Sequence, residues 1–358
     1  MDSLKQIVIK STVQIPSIDI NQIVGHTCAE MPAFKELRYL LPELSGNCYK
    51  TLPDGSPHYE KYQQGDENDS ANKIITDASG VKQTLHFYEF APQNYRVDFE
   101  YDAKKCVLVA SMNIKVFPAK MIDNATGQEV IHDHNAIPKK FSIVARPVTA
   151  EILETLKQIE SKITSILNKD RYYFTPERCN KKEGCSCKIP FIFKPTLTIT
   201  SIEPNPYING EIYLFEKSYR QNSRSWALSN VQVGTKSSEP KMTFDKDGSV
   251  IMSPTVMEKV AMLMDGIMSN AHECGHLYGY PDEYYANGGA VHKMYIDPQT
   301  RLVDVKKAEP IDDWKRDKNG HLMNSALPNQ LPIIPPYYLN EFRKFFEQKT
   351  RVEWKIEK

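Results

Sequence analysis

The stretch His272-Glu273-Cys274-Gly275-His276-Leu277-Tyr278-Gly279-Tyr280-Pro281-Asp282-Glu283-Tyr284 constrains this chain more than any other. Two histidines four apart on a helix share a face about one turn from each other, so both imidazoles can reach one metal ion. Glu273 stands beside the first of them, where its carboxylate can address a water on the ion without binding the ion itself. Gly279 comes three residues after His276, where a left-handed residue ends a helix sharply, and Pro281 prevents its continuation. The chain is thereby expected to turn back and bring Asp282 up as a third ligand, with Glu283 as the rival. Zinc suits this donor set, because it takes imidazole nitrogen and carboxylate oxygen and, when catalytic, keeps a fourth position open for water. A buried amphipathic helix whose histidines only hydrogen-bond would leave the glycine and the acid at these offsets unexplained.

These residues resemble the metzincin clan of zinc peptidases, whose pattern is His-Glu-x-x-His-x-x-Gly-x-x-His/Asp. Asp282 at the third position is similar to the aspartate branch of that clan, exemplified by the snapalysin-type bacterial peptidases. The trailing Asp282-Glu283-Tyr284 is similar to the His-Glu-x-Gly-His…Asp-Glu-Tyr stretch of several bacterial metallopeptidase families. The resemblance implies a methionine turn beneath the metal, for which Met323 within His321-Leu322-Met323-Asn324-Ser325 is the candidate. It also implies a tyrosine near the oxyanion, and Tyr284, Tyr337 and Tyr338 are available with no spacing to select one.

Length and composition limit what else the chain can be. At 358 residues it exceeds what one core usually serves. Two parts are expected: an accessory, mostly β region over 1–104, and a zinc peptidase domain over 105–358. Lys and Arg total 45 against 45 Asp and Glu, so the charge balance points to no nucleic-acid or membrane-surface partner. No run of about eighteen apolar residues exists to cross a bilayer. The start, Met1-Asp2-Ser3-Leu4-Lys5-Gln6, lacks a basic region followed by an apolar run, so no signal peptide is expected. A cytoplasmic protein, or one exported by a leaderless effector route, is the resulting expectation, with residues 1–104 a candidate surface for a delivery or regulatory partner. Seven cysteines leave at least one unpaired within the chain. Cys179, Cys185 and Cys187 fall in a Lys-rich stretch that reads as a solvent loop with free thiols, or with one disulfide in an oxidising compartment; their spacing is not the paired Cys-x-x-Cys of a structural metal site, which is the lesser alternative. Cys28 and Cys48 lack the context of an inhibitory pro-segment thiol.

The pattern along the chain predicts an α+β fold. Ala33–Leu41 reads as a short helix, and 63–80 as a long polar loop. Val107–Phe117 alternates as a strand, with Met112, Ile114 and Val116 on one face. His132-Asp133-His134 reads as a solvated loop, and Phe141–Ala145 as a short strand. Thr149 caps a helix with Leu156, Ile159 and Ile163 at helical spacing. Strands are expected over Phe191–Ile202, Glu211–Phe215, Trp226–Val233 and Ser249–Met252, the last after an Asp247-Gly248 hairpin signal. Pro254 and the capping box Thr255-Val256-Met257-Glu258 start the metal helix early, with Val256, Val260, Leu263, Ile267 and Ala271 on one face. A hairpin over 291–305 and a closing helix from Tyr338 complete the reading. In the metzincin resemblance these become a mixed twisted sheet, a backing helix, the active-site helix, a Met-turn and a closing helix.

The function expected is zinc-dependent hydrolysis of polypeptide, with Glu273 as general base and His272, His276 and Asp282 as ligands. An amidase acting on bacterial wall peptide and a zinc-stabilised module without turnover are the alternatives. A purely structural site has no use for the Glu273 carboxylate.

Overall fold

The computed structural model describes residues 5–8, 13–27, 31, 33–39, 50–51, 57–58, 73–76, 82–85, 96–133, 136, 138–178, 186–205, 208, 210–237, 242–244, 246–247, 250–252, 257–280, 320–323 and 330–358. In chain order its strands are β1 (Lys5–Val8), β2 (Phe34–Tyr39), β3 (Lys50–Thr51), β4 (Pro57–His58), β5 (Lys73–Thr76), β6 (Lys82–Leu85), β7 (Arg96–Asp102) and β8 (Val107–Asp123). They continue as β9 (Glu129–Val130), β10 (His132–Asp133), β11 (Phe141–Ala145), β12 (Tyr173–Pro176), β13 (Ile189–Ile199), β14 (Glu211–Arg220) and β15 (Ser225–Ser237). The last are β16 (Met242–Phe244), β17 (Val250–Met252), β18 (Met257–Asp265) and β19 (Trp354–Glu357). Three α-helices accompany them among the described residues: α1 (Ala150–Asn168), α2 (Ile267–Leu277) and α3 (Asn340–Thr350).

The architecture is α+β, dominated by a mixed sheet of thirteen strands whose main path runs β1-β18-β15-β14-β8-β13-β12-β19. The central strand is β8. Its buried Met112, Ile114 and Val116 alternate with exposed Asn113 and Lys115, the period-2 pattern of a strand with one covered face. It pairs in parallel with β13 and β14 and antiparallel with β7, β9 and β11. The expected boundary at 104/105 lies in the turn joining β7 to β8, so strands from both sides of it share one sheet.

Helix α1 begins as its sequence predicts: the Thr149 side chain accepts from the Ile152 amide, and Leu156, Ile159, Ile163, Ile166 and Leu167 are buried in the main core. Burying a side chain of this kind contributes about 1.5–3 kcal/mol, which outweighs the propensity differences along the helix. Its last turn is fixed to β13 by Asn168, which donates to Phe193 O and accepts from Phe193 N. Helix α3 packs into the same core through aromatic side chains. Phe342 lies 5.1 Å from Phe99 and 4.8 Å from Phe191, and Phe34 meets Phe345 edge-on at 5.6 Å.

Five expectations are corrected. The segment read as a helix over Ala33–Leu41 contains β2, because every residue from Phe34 to Tyr39 pairs antiparallel with β7. The polar stretch 63–80 contains β5, which pairs with β6. His132 is buried, in β10, rather than solvated: its ring stacks on Phe215 at 3.8 Å and its Nδ1 meets Ser218 Oγ at 2.9 Å. The metal helix does not begin at the Thr255 capping box; Met257–Asp265 is β18, in nine-residue antiparallel register with β15. The other strands, the hairpin at Asp247, now β16 and β17, and the closing helix fall close to where they were expected. Cys187 belongs to the buried core, not to a solvent loop. Cys28, Cys48, Cys179, Cys185, His134 and the 291–305 hairpin lie outside the described residues. No helix among the described residues is long and apolar enough to cross a membrane.

Candidate metal centre

Helix α2 is held at both ends by the sheet. β18 ends at Asp265, whose Oδ1 accepts from the Ile267 amide at 2.9 Å and so satisfies the first N–H of the helix. Along the helix, Asn270 donates to Ala227 O of β15 at 3.2 Å, and Ser269 Oγ accepts from Asn230 at 2.6 Å. At the far end Gly279 has φ +93, as its position predicts. The Gly279 amide returns to His276 O and the Tyr280 amide to Gly275 O, which is the bond pattern of a glycine-terminated helix. Tyr278 then reaches down to Ala110 O of β8 with its hydroxyl at 3.0 Å.

This ending sets up the chemistry. By turning the chain at Gly279, it brings Tyr280 O to 2.7 Å from His276 Nδ1. His272 Nδ1 lies 2.7 Å from Leu322 O. A carbonyl oxygen only accepts, so each Nδ1 carries a proton, which makes Nε2 the lone-pair nitrogen of the neutral ring. That is the tautomer and the outer hydrogen bond that metal-binding histidines use. The two rings are 4.9 Å apart and nearly perpendicular. The Glu273 carboxylate, largely buried, has Oε2 4.0 Å from His276 Nε2.

The turn carrying Leu322 is itself fixed. The Leu322 amide donates to Ile333 O and the Ile333 amide to Gly320 O. The Ile334 amide donates to Asp170 Oδ2, and Tyr172 donates to Ile334 O. Met323 is fully buried against α2, and its amide donates to the Tyr338 hydroxyl at 3.3 Å. Between the turn and the helix is a cavity of about 160 Å³, lined by Met268, Ser269, His272, Glu273, His321, Leu322 and Pro332.

Of the residues anticipated, His272, Glu273 and His276 come together on α2, Gly279 ends it, and Met323 lies against it. Asp282, Glu283 and Tyr284 lie outside the described residues. Among the described residues no three His, Cys, Asp or Glu side chains converge to hold a metal ion. Tyr338 is stacked on Tyr280 at 4.2 Å and only 2% exposed, so it is a packing residue. Cys274 is buried too, and burial pushes its thiol well above the ordinary range. Burial likewise pushes up the phenols of Tyr278 and Tyr280. Sequence reasoning did not anticipate Gly275, which abuts Met323, or the backbone carbonyls of Leu322 and Tyr280. The small residue directly before the second histidine was the one available signal.

Comparison with known proteins returned no matching family model, curated relative or solved structure. The site is therefore read from its own geometry.

Proposed function

We propose that this chain is a zinc-dependent endopeptidase. The observation that carries the reading is the shared orientation of His272 and His276 on one helix, each with Nδ1 engaged by a backbone carbonyl, beside the Glu273 carboxylate. The donor set fits zinc: two imidazole nitrogens from α2, with Asp282 as the third ligand. When bound, zinc lowers the pKa of water to about 7 and polarises a substrate carbonyl. Glu273 then takes the proton from the attacking water and returns it to the leaving amine, a role that requires the carboxylate to be close to the histidines without being consumed as a ligand. Partial burial favours this by limiting the water that competes for the carboxylate.

The order of elements supports a metzincin-like domain. A long helix, α1, falls between β11 and the strands β12–β18, α2 carries the histidines, Met323 packs against α2, and α3 with β19 follows. Polypeptide is the proposed substrate, and no feature of the charge balance favours nucleic acid.

The test is zinc content and cleavage of a mixed peptide library by the natural chain beside Glu273→Gln. One zinc in both chains with cleavage only by the natural one is expected. Absence of zinc from the natural chain would refute the reading.

A further inference from the structure

We propose that Asp170 and Tyr172 are positioning residues that hold the Leu322 carbonyl against His272 and so set that histidine for the metal. The proposal deepens the peptidase reading above and rests on it. His276 takes its acceptor from Tyr280, four residues on, at the end of its own helix. His272 takes its acceptor from Leu322, fifty residues away on a separate turn. The first arrangement is fixed by α2 itself, whereas the second holds only while the turn stays in place.

The turn is tied to the segment that follows it. The Leu322 amide donates to Ile333 O at 2.8 Å, and the Ile333 amide donates to Gly320 O at 2.7 Å. Ile334, the next residue, is fully buried. Side chains from the connection between α1 and β12 hold both of its main-chain groups: its amide donates to Asp170 Oδ2 at 3.1 Å, and its carbonyl accepts from the Tyr172 hydroxyl at 2.5 Å. That connection is mounted on the sheet. Tyr172 O accepts from the Phe191 amide at 2.9 Å, and Asn168 is bonded to Phe193 in both directions. Lys169 meets Asp170 Oδ2 at 2.7 Å and Lys358 meets Oδ1 at 3.1 Å, so the carboxylate charge is balanced where it lies.

Buried backbone groups need partners, and that need alone would explain Asp170 and Tyr172 if nothing depended on Ile334. A path to the site does depend on it. Ile334 is joined to Ile333, Ile333 is bonded to Leu322, and Leu322 O meets His272 Nδ1. Loosening Ile334 lets the segment, and with it the carbonyl, draw away from the imidazole. In a neutral ring the hydrogen bond decides which nitrogen holds the proton. A displaced Leu322 O therefore allows the His272 proton to pass from Nδ1 to Nε2, and a protonated Nε2 cannot ligate a metal.

The experiment compares the natural chain with Tyr172→Phe, Asp170→Ala and Asp170→Asn by two measurements. Nitrogen-15 NMR of the metal-free, histidine-labelled chains reads the tautomers of His272 and His276 above the pH at which the rings titrate, with His272→Gln and His276→Gln to assign the signals. Chelator competition gives the zinc Kd. In Tyr172→Phe and Asp170→Ala, His272 should become a mixture containing the Nε2–H form while His276 stays Nδ1–H. The zinc Kd should rise about 10-fold, the lower end of the effect of losing an outer partner directly. Asp170→Asn keeps an oxygen that can accept from Ile334 and should restore most of both. An unchanged His272 in Tyr172→Phe overturns the proposal. So does a change at both histidines together, which is what a general loosening of the fold produces. A natural chain that takes up no zinc overturns the peptidase reading, and the tautomer comparison then still decides whether Asp170 and Tyr172 act on His272. If Asp170→Ala does not fold, Tyr172→Phe, which keeps the ring and loses only the hydroxyl, decides in the same way.

Discussion

Met323 occupies the space where a side chain on Gly275 would begin: a Cβ at that glycine would stand 2.4 Å from Met323 Sδ and 3.3 Å from Leu322 Cδ2. Two effects of Gly275→Ala oppose each other. Alanine favours the helix by about 1 kcal/mol, whereas overpacking a filled core costs about 1–3 kcal/mol. Met323 is fully buried and cannot swing into solvent, so the clash wins. The expected outcome is a net loss of about 1 kcal/mol in denaturant unfolding, with weaker zinc retention because Leu322 O moves with Met323. Adding Met323→Ala should relieve the clash, making the double variant less unstable than the two single losses combined.

Gly279→Ala tests the other end of the helix. A side chain at φ +93 is strained, at a cost of about 1–2 kcal/mol. The same change displaces Tyr280 O from His276, and loss of such an outer partner weakens metal affinity about 10- to 100-fold. Chelator competition on the zinc-loaded chain measures the second effect, and thermal unfolding of the metal-free chain isolates the first.

Aromatic packing, not surface charge, joins β2 and β7 to the C-terminal helix. Phe342→Ala should cost about 3–5 kcal/mol in unfolding free energy, since Phe342 meets both Phe99 and Phe191. Breaking the exposed Lys35–Glu100 pair, 3.4 Å apart, should change stability by less than about 0.5 kcal/mol. A chemical denaturation series on both variants separates the two contributions.

Asp170 makes the turn beside the site sensitive to acid. Burial pushes its carboxyl up, but hydrogen bonds from Lys169, the Ile334 amide and Lys358 outweigh that and hold it below the ordinary carboxylate range. A group whose folded pKa is depressed contributes stability above its unfolded pKa, about 3.9, and loses it as pH falls through the lower folded value. Unfolding free energy should therefore decline below about pH 4, and Asp170→Asn should flatten that part of the curve while lowering the plateau above it.

Legibility in the sequence followed how local each signal was. Thr149, Gly279 and the Asp247-Gly248 turn act within a few residues, and the structure has the cap, the left-handed φ and the hairpin they predict. The alternation in β8 also sufficed, because one covered face repeats along a single strand. Met257–Asp265 misled because Val256, Val260, Leu263 and Ile267 fit a helix while a capping box stood at their start. Nine residues of register with β15 override that local preference. His132 was illegible for a related reason, since Ser218 and Phe215, the partners that bury it, are more than eighty positions away. His272, Glu273 and His276 lie on one helix as their spacing predicts, but the carbonyls that meet the two histidine rings have no such signal. Leu322 O is fifty residues from His272, and backbone groups have no sequence signature.

The parallel pairing of Lys5–Val8 with Val260–Leu263 has a consequence for how the protein is made. The partners Lys5 and Val260 are about 255 residues apart, and a ribosome adding 5–20 residues per second needs roughly 10–50 s to produce the second after the first. Throughout that interval β1 has no strand to join, and the edge it will cover does not yet exist. Folding of this sheet border therefore waits until most of the chain has been made, and β1 docks late although it is synthesised early.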